Sequence, residues 1–347
     1  MKAYHRFLGV AALGIVGLLA LPAWGAAGSY KLLKGIPVGG EGGWDYLTVN
    51  ESGRRLYVSH GTKVEVIDID KETVVGQVAD TPGVHGIAVA PKLGLGFVSN
   101  GRGNNASIFD LQTLKTTSKV ETGENPDAIL YEDGQEEVYT FNGRSRSATV
   151  FEAKTGKVVA TIPLSSKPEF AVADTQAGRI YCNLEDKSQV AVIDTKAHKV
   201  LNTWPIAPGE EPSGMAYDAQ NKRLFLGCGN KLMVMMDSET GKVVASVPIG
   251  QGVDATKFDP ATKLAFCSCG DGTVTIAHED SPDKLTVVQT LTTEPRAKTM
   301  ALDPQTHKIY LASAKFGAAS NQPAGGKKGR PTPTPGSFKV LVYGMGE

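Results

Sequence analysis

A single phrase of apolar and polar positions returns along most of the chain. It reads as a short strand, a turn carrying Gly, Asn or Lys, and a second strand led by an aromatic residue. A loop follows, then an alternating strand ending near Asp, and last a strand of Lys-Val-Val type. The third-strand ends Val66-Ile67-Asp68, Ile108-Phe109-Asp110, Val150-Phe151-Glu152 and Val192-Ile193-Asp194 recur every 42 residues, and Met235-Met236-Asp237 and Ile276-Ala277-His278 continue the series within one residue. The second strands open on Tyr57, Phe97, Tyr139, Tyr181, Phe225, Phe266 and Tyr310. A unit of this length also suits helical arrays, but Lys63 to Asp68 and Ser188 to Asp194 largely alternate, as half-buried strands do. Thr155-Gly156-Lys157 and Thr240-Gly241-Lys242 look like tight hairpin turns. Four strands of about six residues plus turns make up one propeller blade. The fold class is therefore all-β: a seven-bladed β-propeller of four-stranded antiparallel blades.

The seventh repeat stops one strand short. Its strands fall near Lys298 to Asp303, Ile309 to Ser313 and Phe338 to Gly344. The missing outer strand stands at the other end, where Tyr30 to Val38 parallels Gly156 to Leu164 of the third blade. The N-terminal strand is thus expected to complete the last blade and latch the ring, leaving only short protected edges. Residues 314–337 break the rhythm with a Pro-, Gly-, Ala- and Lys-rich insertion, expected to be a mobile loop within blade seven.

Second strands such as Tyr57-Val58-Ser59-His60 and Phe97-Val98-Ser99-Asn100, with third strands such as Val190-Ala191-Val192-Ile193-Asp194, give the chain a resemblance to the YVTN-type (YncE-like) repeat propellers. The resemblance spans residues 28–347, although no blade spells Tyr-Val-Thr-Asn in full. It implies an exported propeller, often of undefined biochemical activity, and carries no catalytic residues to transfer.

Residues 1–27 read as a signal peptide. Lys2 and Arg6 precede the apolar run Phe7 to Leu21, and small residues offer cleavage after Gly25 or Ala27. The run is short for a spanning helix, and an uncleaved anchor is the alternative. The expected product, residues 28–347, is one propeller domain, monomeric, periplasmic or secreted, with no stable membrane insertion. Lys and Arg together number 36, as do Asp and Glu, so the chain lacks the basic surplus of most nucleic-acid binders. Cys182, Cys228, Cys267 and Cys269 follow neither a disulfide framework nor a zinc knuckle, and are expected as small buried hydrophobes.

First strands line a propeller's channel, so equivalent positions at its mouth can be lined up. Counting four residues back from Val49, Val89, Tyr131, Ala173, Tyr217, Phe258 and Leu302 gives Asp45, His85, Asp127, Glu169, Ser213, Asp254 and Lys298. All seven are polar and four are acidic. Converging like charges raise one another's pKa values or recruit a cation, and a divalent ion such as calcium is the candidate cofactor. Lys298 and His85 are the residues that would instead neutralise the ring. Trp44, beside Asp45, is read either as a stacking platform or as packing under Val38 to Gly43.

His60 and His85 are placed on this ligand face, where a His pair beside Asp45 and Asp127 is a candidate to coordinate a transition metal or serve as general base, whereas His198, His278 and His307 fall near turns on the opposite face. Met233, Met235 and Met236 read as packing, and so does Trp204 between blades. Arg102, Arg144, Arg146, Lys187, Lys231, Lys315, Lys327, Lys328 and Arg330 form a basic rim able to steer an anionic polymer or partner. The chain contains no Gly-x-Ser-x-Gly, phosphate-cradling glycine loop or His-Glu-x-x-His. The leading expectation is a propeller that binds a small ligand or a partner protein, or acts as a scaffold, through the channel-mouth face. A metal-assisted hydrolase or lyase at that mouth is the alternative, and binding of DNA or another anionic polymer by the rim ranks third.

Overall fold

The computed structural model describes Met1, residues 28–317 and residues 332–346. Residues 2–27, read above as a signal peptide, the centre of the insertion, and Lys327, Lys328 and Arg330 lie outside the described residues. Seven four-stranded antiparallel sheets form seven blades, six of them built from consecutive strands. The seventh combines Met300–Asp303, Lys308–Ser313 and Lys339–Met345 with the N-terminal strand Tyr30–Pro37. That strand pairs from Tyr30↔Met345 to Pro37↔Lys339, with one register shift between Leu32 and Lys34. Its Ile36 is buried among Leu56, Ile67, Tyr310 and Val340, tying blade seven to blade one.

The middle strands depart from the alternation read in the sequence. In Gln189–Asp194 the consecutive residues Val190, Ala191, Val192 and Ile193 are all buried, and in Lys63–Asp68 even Glu65 is. A blade is covered by a neighbour on each face, so its second and third strands have no solvent side. The outer strands keep theirs, with Val74, Val75, Val158, Val159 and Leu201 exposed. All seven leading aromatics are buried, each contributing about 2–3 kcal/mol of transfer free energy. Two also fasten blades: Tyr139 Oη donates to the Thr195 carbonyl at 3.4 Å, and Tyr181 Oη to that of Ser238 at 2.9 Å. Trp204 lies beside Gly241 of the next blade, where a Cβ would strike its indole. The four cysteines are buried and free, and the three methionines sit in the inter-blade cores.

The recurring third-strand Asp is turn chemistry. Asp68, Asp110, Asp194 and Asp237 each accept backbone N–H groups two and three residues on, as with Thr113 N to Asp110 Oδ1 at 2.7 Å. A second such series closes the turn after the first strand, through Glu132, Asp174, Asp218, Asp259 and Asp303. Glu279 stands near Asp218 with both carboxylate oxygens buried and unbonded. Burial, followed by the Asp218 charge, pushes it up to about 7.

The described ends of the insertion are tied down. Phe316 bridges Pro333, Thr334 N donates to the Lys315 carbonyl at 2.7 Å, and the Phe316 ring takes the Arg296 guanidinium at 4.5 Å.

Candidate functional site

Six of the first strands begin at the channel mouth, and each shows a register shift within its first few residues. The shifts lie between Trp44 and Leu47, Val84 and Ile87, Pro126 and Ile129, Pro168 and Ala171, Pro212 and Met215, and Val253 and Ala255. The ring residue is the second of each strand, inside the irregularity. Such bulges re-aim a side chain away from the sheet's own alternation. Lys298 precedes its strand, which starts at Met300 and pairs regularly.

Hydrogen bonds from one blade to the next hold the ring's backbone. Ser99 Oγ donates to the Asp127 carbonyl and Ser268 Oγ to that of Lys298. Asn183 Nδ2 donates to the Ser213 carbonyl at 2.8 Å, and Ser213 Oγ donates to that of Asp254 at 3.4 Å. Four of the mouth positions, Asp127, Ser213, Asp254 and Lys298, are therefore tied by their main-chain carbonyls to the blade before them.

Those side chains open on one cavity of about 120 Å³, lined by Asp45, Asp127, Glu169, Ser213, Asp254 and Lys298. His85, the seventh position, joins them at one edge. Its Nδ1 lies 2.5 Å from Asp45 Oδ2 and 3.6 Å from Asp127 Oδ1. One ligand atom each from Asp45, His85 and Asp127 falls within 4.8 Å of the others. Lys298 Nζ bonds Asp254 Oδ1 at 2.6 Å. Lys167 Nζ bonds Glu185 at 2.5 Å and approaches Glu169 Oε2 at 2.9 Å without hydrogen-bond geometry, leaving that oxygen buried and unbonded.

The carboxylates are incompletely compensated. Burial pushes Asp127 up to about 6, with Asp45 and Asp254 adding to the rise and His85 opposing it. Burial and then the Asp127 charge push Glu169 up to about 8, against Lys167. Asp254 also rises through burial, although Lys298 counters it. Burial alone would lower His85, but the Asp45 hydrogen bond and the Asp127 charge raise it above its ordinary value.

Three further residues close the channel below the ring, and the sequence reading had not singled them out. Tyr46 of blade one stacks on Phe170 of blade four at 5.7 Å, and Lys257 Nζ of blade six lies over the same Phe170 ring at 4.9 Å. All three line the cavity. Tyr46 and Phe170 each follow a ring residue, where the other blades carry Gly, Ala or Thr. Lys257 stands three beyond Asp254, where the others carry Thr48, Ala88, Leu130, Val172, Ala216 and Ala301. A lone charge in that otherwise uncharged column was the available signal.

Other predicted residues are placed elsewhere. Trp44 packs on Phe338 at 5.1 Å and Phe316 at 5.9 Å, so it seats the insertion and does not line the cavity. His60 is 1% exposed, stacked on Phe338 at 4.2 Å, and its Nδ1 is 3.6 Å from Glu65 Oε1. It shares a cluster with Trp44 and the glycine loop above it, apart from the His85 constellation. Arg102, Arg144, Arg146, Lys187, Lys231 and Lys315 are exposed and make no ion pair among the described residues. His198, His278 and His307 pair with Glu137, Asp280 and Asp259.

No protein-family model matches the chain, and no curated protein sequence does. Among solved structures it is similar to hydrazine synthase of Kuenenia stuttgartiensis, with a TM-score of 0.70 and 17% identity over 78% of this chain and 92% of that one. At that identity the likeness shows the fold alone: the protein is a seven-bladed β-propeller.

Proposed function

We propose that this is an exported binding propeller of the YVTN (YncE-like) kind, and that its channel mouth takes a small ligand presenting a cationic group. One observation carries the reading: six of the seven ring positions line one small cavity, with His85 at its edge, and burial raises three of its carboxyl groups, Asp127, Glu169 and Asp254, despite the cations near them. A buried carboxylate without a partner is unstable relative to water, and a bound cation relieves it. The cavity admits a group of a few heavy atoms, not a polymer. Export rests on the N-terminal pattern of Lys2, Arg6 and Phe7 to Leu21.

A metal at Asp45, His85 and Asp127 is the second reading, favoured by their 4.8 Å clustering. Two carboxylates and an imidazole suit a zinc-like ion better than calcium, which prefers six to eight oxygens. The His85–Asp45 contact weighs against it, because a metal taking His85 Nδ1 must displace the Asp45 carboxylate that lies 2.5 Å from it. A hydrolase or lyase would need that metal, with the same residues as its ligands.

Calorimetric titration with methylammonium, ethylammonium, calcium and zinc separates the readings. Saturable alkylammonium binding that Asp127→Asn weakens at least tenfold supports the first. Stoichiometric zinc binding lost in His85→Ala, with no alkylammonium binding, transfers support to the second. Binding of none of the four overturns both. Cleavage of the leader in the host and recovery in the exported fraction test export, and retention of the full-length chain in the cytoplasm refutes it.

A further inference from the structure

The cavity is not uniformly acidic. Its mouth carries Asp45, Asp127, Glu169 and Asp254, while its wall carries Lys257, which makes no ion pair among the described residues. The other lysines at this end of the channel are committed: Lys298 to Asp254, and Lys167 to Glu169 and Glu185. The Lys257 contact is the Phe170 face, with Tyr46 stacked beyond. One polar atom in the same wall is also unsatisfied: Thr299 Oγ1, on a residue 3% exposed. A cavity with an acidic pole, an aromatic floor and a free ammonium is complementary to a molecule bearing both charges.

We propose that the ligand is a small zwitterionic amino acid, its ammonium held by the Asp127–Glu169 side of the ring and its carboxylate by Lys257. This rests on the cationic-ligand reading above and adds the second pole. A lone cation would satisfy the carboxylates and leave Lys257 unpaired. A lone anion would meet the acidic ring on entry. The zwitterion satisfies both and brings no net charge into a desolvated space, where unpaired charge is costly. Its carboxylate also offers an acceptor for Thr299 Oγ1. Burial lowers Lys257 to about 8, so the ammonium is held at neutral pH with little to spare, and a carboxylate partner raises it again.

The test is calorimetric titration of the full chain with three matched sets at neutral pH. These are glycine, β-alanine and γ-aminobutyrate; methylamine, ethylamine and propylamine; and acetate, propionate and butyrate. At least one amino acid is expected to bind tenfold or more tighter than its matched amine, with its matched carboxylate weaker still. Lys257→Met keeps the stem over Phe170, and should reduce that amino acid to the affinity of its amine while leaving the amine's Kd unchanged. The wild-type comparison needs no variant, so a misfolded substitution does not rescue the proposal. Amines binding as tightly as their amino acids overturn it and leave the cationic-ligand reading standing. Binding of neither set overturns both.

Discussion

Glu279 offers a direct test of how burial and like charge act in this fold. The side chain lies two residues before the end of the strand Thr273–Ser281, against Asp218 of the neighbouring blade, fully buried and with neither carboxylate oxygen hydrogen-bonded. Its ordinary value of 4.5 is raised to about 7 in the folded protein. The sign follows directly. Below about pH 4.5 both folded and unfolded chains hold the proton, and the site contributes no penalty. Between there and about pH 7 the unfolded chain gives up a proton that the folded chain retains, so stability falls as pH rises and the loss levels off above 7. The difference of some 2.5 units corresponds to about 3 kcal/mol at 1.36 kcal/mol per unit. Glu279→Gln removes the titration while keeping the shape and a donor for Asp218. At about pH 8 the variant should be more stable than wild type by about 3 kcal/mol, or about 5 °C in Tm at ~2 cal/mol/K per residue over roughly 300 residues. At about pH 4 the two should coincide. Thermal denaturation followed by circular dichroism at several pH values reads this out. Equal Tm differences at both ends of the range would refute the coupling of Glu279 to pH.

Asp127→Asn should separate stability from binding: it raises Tm above about pH 6, where the buried carboxylate is ionised, while weakening alkylammonium affinity, as calorimetry on the same samples would show. Ile36→Ala empties a fully buried position in the N-terminal strand and should cost about 2–4 kcal/mol in denaturant unfolding. Ser268→Ala deletes the bond from blade six to the Lys298 carbonyl, and a loss of about 1–2 kcal/mol is expected by the same assay. Phe338→Ala removes the ring on which both Trp44 and His60 rest, so the tryptophan emission should shift to the red with alkylammonium binding intact.

The propeller was legible because a repeat multiplies weak signals. No single strand is decisive, yet seven aromatic-led strands and a regularly returning Asp leave little else that the chain can be. The ring was legible for the same reason, since equivalent positions in a closed array share one axis. The meeting of Tyr46, Phe170 and Lys257 was not. It joins blades one, four and six across the channel, whereas a repeat alignment relates each residue to its counterparts and not to whatever faces it. His60 and His85 looked like partners because they stand on the same face. Phe338 arrives from the far end of the sequence, stacks on His60, and puts that ring in a different cluster. The pattern of buried acids such as Asp218 and Asp259 was read past because an acid at a strand end resembles a solvated one. The hydrogen bonds that require it become visible only with the turn.

The last blade puts the ring's most distant contacts in one place, since Tyr30 pairs with Met345 while the other six blades are each closed by residues near in sequence. Loop-closure entropy grows only with the logarithm of length, so joining the ends of the chain costs about 2 kcal/mol more than closing a single repeat. That extra cost falls once, and it falls on a step that cannot begin until the final strand has been synthesised. Six blades can form as the chain emerges, and the seventh waits for its C-terminal partner. Slow opening of the native ring is therefore expected to start at this seam, with amide protons of Tyr30 to Pro37 and Lys339 to Met345 exchanging together ahead of the other blades.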